Sequence, residues 1–116
     1  MIEEMRKRRS YLGEFELMVL LAVVRLDEEA YGVPISDELQ IATGREASLG
    51  SVYAALDRLS EKGYVTSKLA DPTPQRGGRA KRYFRATPAG QRAIEASRIA
   101  LTRLWRGLPR YGEAKA

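Results

Sequence analysis

The hydrophobic and polar positions divide the chain into four predicted helices and one predicted hairpin. Residues 11–26, YLGEFELMVLLAVVRL, are mostly apolar, and this pattern fits either a short buried strand or a helix enclosed on several sides. Their length and their Leu, Met and Ala content favour the helix. A second helix of about ten residues should run to Thr43, because Ile35, Leu39 and Ala42 share one helical face and Gly44 can end it.

The third predicted helix has two contrasting faces. Ser48 is a good N-cap, and Val52, Leu56 and Leu59 form an apolar face. Gly63 is expected at the C′ position, just past the end of the helix. The opposite face carries no large aliphatic residue and consists of Gly50, Ser51, Tyr53, Ala54 and Asp57. The pattern therefore predicts a slim helix that can approach another molecule closely.

A basic hairpin follows, with predicted strands at Tyr64–Leu69 and Lys81–Ala86 and a connection rich in Pro and Gly. Strand alternation places Lys81, Tyr83 and Arg85 on one face, with Arg82 and Phe84 on the other. One aromatic ring is thus expected on the core while part of the charge faces solvent.

The last predicted helix carries a long apolar seam. Thr87 and Pro88 suit its first positions, and Ile94, Leu101 and Leu108 then repeat every seven residues. Leu104 and Trp105 lie beside this seam, and arginines occupy the other faces. This pattern indicates that the last helix pairs with another helix. The alternative is that the last helix packs back on its own domain.

Charge and composition narrow the function. The 116-residue chain has a net charge of +5 and a pI of about 9.7, which favours an acidic partner, with nucleic acid first and an anionic membrane surface second. It contains no cysteine and no histidine, so disulfides, Cys/His zinc sites, thiol nucleophiles and imidazole bases are excluded. No metal, no cofactor and no enzymatic activity is expected, and the absence of cysteine fits the cytoplasm. The apolar run LMVLLAVV is much shorter than the roughly 20 residues of a membrane-spanning helix, so no membrane association is expected.

The order of helices and hairpin predicts an α+β, mainly α, winged helix-turn-helix fold with a C-terminal dimerisation helix. A major groove about 12 Å wide admits one helix, and the slim third helix suits it, with the hairpin as the wing. We expect a tail at residues 1–10, the DNA-binding domain at 11–87, the dimerisation helix at 88–108 and a second tail at 109–116. A protein-interaction module, in which the hairpin grips an acidic protein, is the alternative function.

The chain also resembles the PadR family of bacterial transcriptional regulators. The matching residues are Tyr31-Gly32, then Tyr53, Leu56 and Leu59, then Tyr83, Thr87 and Gly90. The resemblance implies a homodimer, held largely by the last helix, that binds a pseudo-palindromic operator. It implies a repressor in most cases, sometimes relieved by a small phenolic or drug-like ligand. In some compact members a tryptophan of the last helix lines a pocket at the dimer interface. By this resemblance Trp105 would line such a pocket. The alternative is that Trp105 only packs in the dimer interface.

Pattern and resemblance together give two sets of candidate residues. The predicted DNA-binding residues are Tyr31, Ser36, Ser48, Gly50, Ser51, Tyr53, Ala54, Arg58, Arg76, Gly77, Gly78, Arg79, Lys81 and Arg82. The predicted dimer interface consists of Leu12, Phe15, Ile94, Leu101, Leu104, Trp105 and Leu108. For Tyr53 the alternative is partial burial, and for Arg58 it is an ion pair with Asp57 or Glu61 on a solvated face.

Overall fold

The computed structural model describes residues 12–70 and 81–109. Within them lie four α-helices, one 3-10 helix and a two-stranded sheet. In chain order these are α1 (Glu14–Leu26), the 3-10 helix (Asp27–Glu29), α2 (Gly32–Thr43), α3 (Leu49–Glu61), β1 (Val65–Leu69), β2 (Arg82–Ala86) and α4 (Pro88–Trp105). This order and the antiparallel pairing of β1 with β2 confirm the predicted winged helix-turn-helix arrangement. The predicted tail at 1–10, most of the tail at 109–116, and the wing residues Arg76, Gly77, Gly78 and Arg79 lie outside the described residues.

Three predicted capping residues, Ser48, Thr87 and Gly44, stand at helix ends in the structure. The Oγ atom of Ser48 accepts a hydrogen bond from the Ser51 N–H at 3.1 Å, and the Thr87 Oγ1 atom accepts one from the Gly90 N–H at 3.0 Å. Gly44 ends α2 in the left-handed conformation, with φ of 76°. Each of these contacts satisfies a backbone group that the end of a helix leaves without an intrahelical partner.

The ends of four elements differ from the prediction. Helix α1 begins at Glu14, after the N-cap Gly13, rather than at residue 11. Each strand is one residue shorter than predicted at its first end. Helix α4 ends at Trp105 instead of reaching Leu108, because Arg106 is extended and Gly107 takes a positive φ of 85°. The apolar heptad pattern continues past this point, so it could not reveal the break.

Helix α1 lies at the centre of the core. Its buried residues Val19, Leu20 and Val23 pack with buried residues of α2 and α3, the two helices of the helix-turn-helix. The apolar faces predicted for those helices are confirmed, since Ile35, Leu39, Val52, Leu56 and Leu59 are all buried. Every buried side chain among the described residues is apolar.

The sheet joins the core through one aromatic residue. Phe84 is buried, as strand alternation predicts for one of the two rings, and Tyr83 on the opposite face is half-buried. The Phe84 N–H also donates to the Ala30 carbonyl at 2.8 Å. Strand β2 is therefore tied to the segment between α1 and α2 as well as to β1.

The first turn of α4 docks closely on the turn between α3 and β1. The Thr87 N–H donates to the Tyr64 carbonyl at 2.9 Å, and the Thr87 hydroxyl donates to the Gly63 carbonyl at 2.7 Å. A Cβ atom on Gly90 would lie 2.2 Å from the same Tyr64 oxygen. Only glycine fits this approach of two backbones.

Candidate nucleic-acid interface

The outward face of α3 carries small and polar side chains, and the one exposed large aliphatic residue of the helix is Leu49 in its first turn, at 44%. Gly50, Ser51, Tyr53 and Ala54 are all exposed, and the nearest atom to a Cβ on Gly50 would be the Ser48 hydroxyl at 4.0 Å. The Ser48 and Ser51 hydroxyls are 2.9 Å apart and hydrogen-bonded. This face has small polar groups at its N-terminal end, as close contact with base edges requires.

Tyr53 connects this face to the start of α2. A Cβ atom on Gly32 would lie 2.3 Å from the Tyr53 Oη atom and 2.7 Å from its Cζ atom, so the phenol rests directly on the glycine. The ring is still 41% exposed. Tyr53 is therefore partly covered, as the alternative of partial burial held, and it also remains accessible at the outward face. Its contact with DNA stays a prediction.

The start of α2 in turn contacts the wing. The Lys81 Nζ atom donates to the Tyr31 hydroxyl at 3.0 Å and lies 4.2 Å from the centroid of that ring. The Tyr31 and Tyr83 ring centroids are 5.1 Å apart, with the planes tilted by 59°. A continuous series of contacts thus runs from α3 through the start of α2 to β2.

Ser36 and Arg58 have partners within the protein. The Ser36 hydroxyl donates to the Ala47 carbonyl at 2.7 Å, a bond that spans the turn between α2 and α3. Arg58 pairs with Glu16 of α1, with Nε to Oε2 at 3.2 Å. The sequence-based alternative that paired Arg58 with Asp57 or Glu61 is wrong, because the ion pair crosses between helices.

Glu16 is a structural residue that the sequence did not indicate. Besides Arg58, its carboxylate accepts a hydrogen bond from Lys62 at 2.6 Å, and its side chain is only 13% exposed. The two cations of α3 lie 42 and 46 residues further along the chain. Local periodicity contains no signal for a pair at that separation.

The remaining described wing cations are exposed. Arg82 donates from Nη1 to the Ser67 hydroxyl at 3.0 Å across the hairpin, while Lys68 and Arg85 also face solvent. Of the predicted DNA-binding residues, the structure brings together those of α3, the start of α2 and the base of the wing. The roles of all these residues in DNA contact stay predictions.

The predicted dimer residues fall into two groups. Leu12, Phe15 and Ile94 are half-buried and pack against the core of their own chain. Four others are exposed on the C-terminal part of α4 and just after it, and they are Leu101, Leu104, Trp105 and Leu108. The first half of α4 thus packs on its own domain, as one alternative held, and the second half presents the apolar surface that the other alternative requires.

Beside this surface, Glu95 and Arg98 form an exposed ion pair one turn apart on α4. The hydrogen bond from Arg98 lowers the pKa of the Glu95 carboxyl, and the same bond raises the pKa of Arg98. Both side chains are more than half exposed, so the pair contributes little to the fold.

Comparison with known proteins identifies the family. The family model described as transcriptional regulator PadR-like family matches residues 20–96, more than half of the chain. The chain belongs to the PadR-like family of transcriptional regulators. The resemblance read from the sequence is therefore confirmed, and the protein is a regulator rather than an enzyme.

Individual relatives agree with this assignment. The chain is 39% identical over 82 residues to "Transcriptional regulator Rv3488" of Mycobacterium tuberculosis (strain ATCC 25618 / H37Rv), a match that covers 69% of this chain and 70% of that protein. A PadR family transcriptional regulator from Eggerthella lenta DSM 2243 has a similar fold, with a TM-score of 0.65, 22% identity, and coverage of 91% of this chain and 87% of that one. Bacillus subtilis PadR in complex with operator DNA gives 0.60 at 17% identity, covering 83% of this chain and 50% of that one.

No helix in the part of the chain that the structure describes is long and apolar enough to cross a membrane. No group of three or more acidic side chains there comes close enough together to hold a metal ion.

Proposed function

We propose that this PadR-like regulator is a homodimer that binds a pseudo-palindromic DNA operator and represses transcription in the cytoplasm. The observation that carries the proposal is the continuous surface from the slim face of α3, through Tyr53 and Gly32, to the base of the wing. Tyr53 rests on Gly32, and the adjacent Tyr31 contacts Lys81 and Tyr83 of the wing. A helix and a hairpin held side by side in this way suit one groove of duplex DNA and its flanking backbone.

Helix α3 supplies base contacts in this proposal. Gly50 and Ala54 keep its surface low enough to enter the major groove, and Ser51 and Tyr53 provide hydroxyls for base edges or phosphates. Ser48 contributes at the N-terminus of the helix, where free N–H groups favour phosphate. The structural similarity to Bacillus subtilis PadR, solved with operator DNA, supports this arrangement.

The wing supplies affinity that does not depend on sequence. Arg76, Arg79 and Arg82 would neutralise phosphates, and Gly77 and Gly78 would let the backbone of the wing approach the DNA. Each phosphate that the wing neutralises makes the slope of log K against log salt more negative by about 0.9. The wing therefore has a measurable signature that is distinct from base readout.

The exposed apolar end of α4 supports the homodimer. Leu104 and Trp105 are 73% and 67% exposed in a single chain, an exposure that a second copy would reduce. Pairing there would present two copies of α3 about 34 Å apart, one turn of DNA.

A small aromatic effector is part of the proposal, and Trp105 is its candidate contact. Such a ligand can regulate DNA binding only if it prefers one dimer geometry over another. Trp105 is the one tryptophan of the sequence, so its fluorescence reports directly on ligand binding. Quenching by a phenolic compound, together with release of the operator, would support this step, and quenching without release would contradict it.

The decisive experiment uses the DNA that flanks the protein's own gene. A labelled duplex containing an inverted repeat from that region is titrated at several salt concentrations, beside a scrambled duplex of the same composition. We expect preference of at least about a thousandfold for the repeat. Equal affinity for both duplexes would contradict the proposal and favour the protein-interaction alternative.

The wing is tested with a matched pair of double variants. R76A/R79A should weaken binding to both duplexes. It should also make the slope of log K against log salt shallower by about 1.8, because two phosphate contacts are lost. R103A/R106A removes the same charge from the last turn of α4 and the residue after it, and it should leave the slope unchanged. Equal slopes for the two variants would refute the assignment of the wing.

A further inference from the structure

Lys81 is predicted from the sequence as a DNA contact, yet its ammonium group is bound to a side chain of the protein itself. It donates a hydrogen bond to the Tyr31 hydroxyl and also lies close to the face of that ring. The side chain is half-buried. A cation attracted to an aromatic ring gains more as it leaves water, so this position is favourable without any phosphate.

A second contact fastens the same strand to the same residue. Tyr83 lies two residues after Lys81 on β2, and its ring packs at a tilt against the Tyr31 ring, a favoured aromatic geometry. The backbone carries the attachment across the hairpin, because the Ala70 N–H donates to the Lys81 carbonyl at 2.8 Å. Both arms of the wing are thus joined to the start of α2 at the outer end of the described hairpin.

We propose that Tyr31, Lys81 and Tyr83 form a latch that fixes the wing against the start of α2. Tyr31 adjoins Gly32, on which Tyr53 of α3 rests, so the latch sets the position of the wing relative to the DNA-reading face. Lys81 is a positioning residue, and its charge does not neutralise a phosphate. The effect of the latch on DNA binding rests on the proposed function, whereas its effect on the mobility of the wing does not.

The mobility of the wing is measured without DNA. The chain contains no cysteine, so Leu69→Cys, at an exposed position in β1, accepts a single nitroxide label. The spectrum should show a more mobile label in K81M than in the parent. K68M is the matched control, because Lys68 lies opposite Tyr83 in the sheet, is exposed and carries the same charge. An immobile label in K81M, or equal mobilisation in K68M, would overturn the proposal.

Y31F is the milder second variant. It keeps the ring, and with it the ring contact to Tyr83, but removes the oxygen that accepts from Lys81. The label should become more mobile than in the parent and less mobile than in K81M. If the label were as immobile in Y31F as in the parent, the hydrogen bond from Lys81 to the Tyr31 hydroxyl would not restrain the wing. Since Y31F leaves the packing of the aromatic rings intact, it remains informative if K81M fails to fold.

DNA binding separates positioning from phosphate contact. K81M and Y31F should each weaken operator binding about three- to tenfold, and the salt slope should stay within about 0.3 of the parent value. The double variant should bind no more weakly than K81M, because both changes break one unit. The opposite result would be a salt slope that is shallower by about 0.9 in K81M, with losses of affinity that add in the double variant. That result would assign Lys81 to a phosphate contact instead. A mobilised label in a protein that prefers no duplex would support the latch and contradict the proposed function.

Discussion

Replacing Gly90 with alanine tests how α4 is attached to the DNA-binding domain. The added Cβ atom would lie 2.2 Å from the Tyr64 carbonyl oxygen and 3.1 Å from its carbonyl carbon. An unstrained contact needs roughly 3.5 Å, so the two backbones would have to separate by about 1 Å. The obstacle is backbone and cannot rotate away as a side chain could.

The energy follows from what holds those backbones together. The Tyr64 carbonyl accepts from the Thr87 N–H, and the Thr87 hydroxyl bonds to the Gly63 carbonyl. Overpacking of a closely packed site costs about 1–3 kcal/mol, and each strained hydrogen bond adds up to about 1 kcal/mol. Alanine regains up to about 1 kcal/mol in helix propensity. We therefore expect Gly90→Ala to lower the free energy of unfolding by about 2–3 kcal/mol.

Gly50→Ala is the matched control, with the opposite expected sign. Its Cβ would meet only the Ser48 hydroxyl, at an unstrained 4.0 Å, so helix propensity should raise the free energy of unfolding by about 0.5 kcal/mol. The same methyl group would thicken the face that enters the groove, so operator affinity should fall although stability rises. Unchanged affinity in this variant would contradict the placement of Gly50 against DNA.

Both variants are measured by urea denaturation followed by far-UV circular dichroism. Protein concentration must be equal in all samples, because the stability of a dimer depends on it. An unchanged dependence on urea with a shifted midpoint would identify a change in stability alone. If Gly90→Ala were as stable as the parent, the close approach of α4 to the Tyr64 carbonyl would be refuted.

Two further predictions concern the ion pairs of α1 and the end of α4. Glu16→Gln should lower the free energy of unfolding by about 1–2 kcal/mol, because its carboxylate, on a side chain only 13% exposed, pairs with Arg58 and Lys62. Glu14→Gln, at a side chain 79% exposed, should change the free energy of unfolding by less than about 0.5 kcal/mol. Equal effects in urea denaturation would refute this reasoning. L101E/L104E should sediment as a monomer and bind the operator poorly, and a surviving dimer would locate the interface elsewhere.

The sequence predicted the elements of the fold because their signals are local. Ser48 and Thr87 cap the helices that they were expected to cap, and the apolar faces of α2 and α3 are buried. Each of these features depends on residues within one or two helical turns. The end of α4 was missed for the same reason, because its apolar repeat continues while Gly107 breaks the backbone.

The candidate site was predicted as a set of residues but not as a set of contacts. Arg58 illustrates the limit, since its partner Glu16 lies on another helix and no local spacing points to it. Lys81 illustrates a second limit, because a basic residue in a basic wing reads as a DNA contact whatever its rotamer. Whether a charge faces solvent or an internal ring is decided by tertiary packing, which the charge pattern does not contain.

The family motifs take on a physical meaning once their members are paired in space. Gly32 is a glycine because Tyr53 rests on it, and Gly90 is a glycine because the Tyr64 carbonyl approaches it. Tyr31, next to Gly32, meets Tyr83 of the wing. Residues that lie far apart in the chain thus contact each other in space. These contacts fix α2, α3, the wing and α4 relative to one another. A change at any one of these residues should therefore alter the geometry presented to DNA before it alters the core.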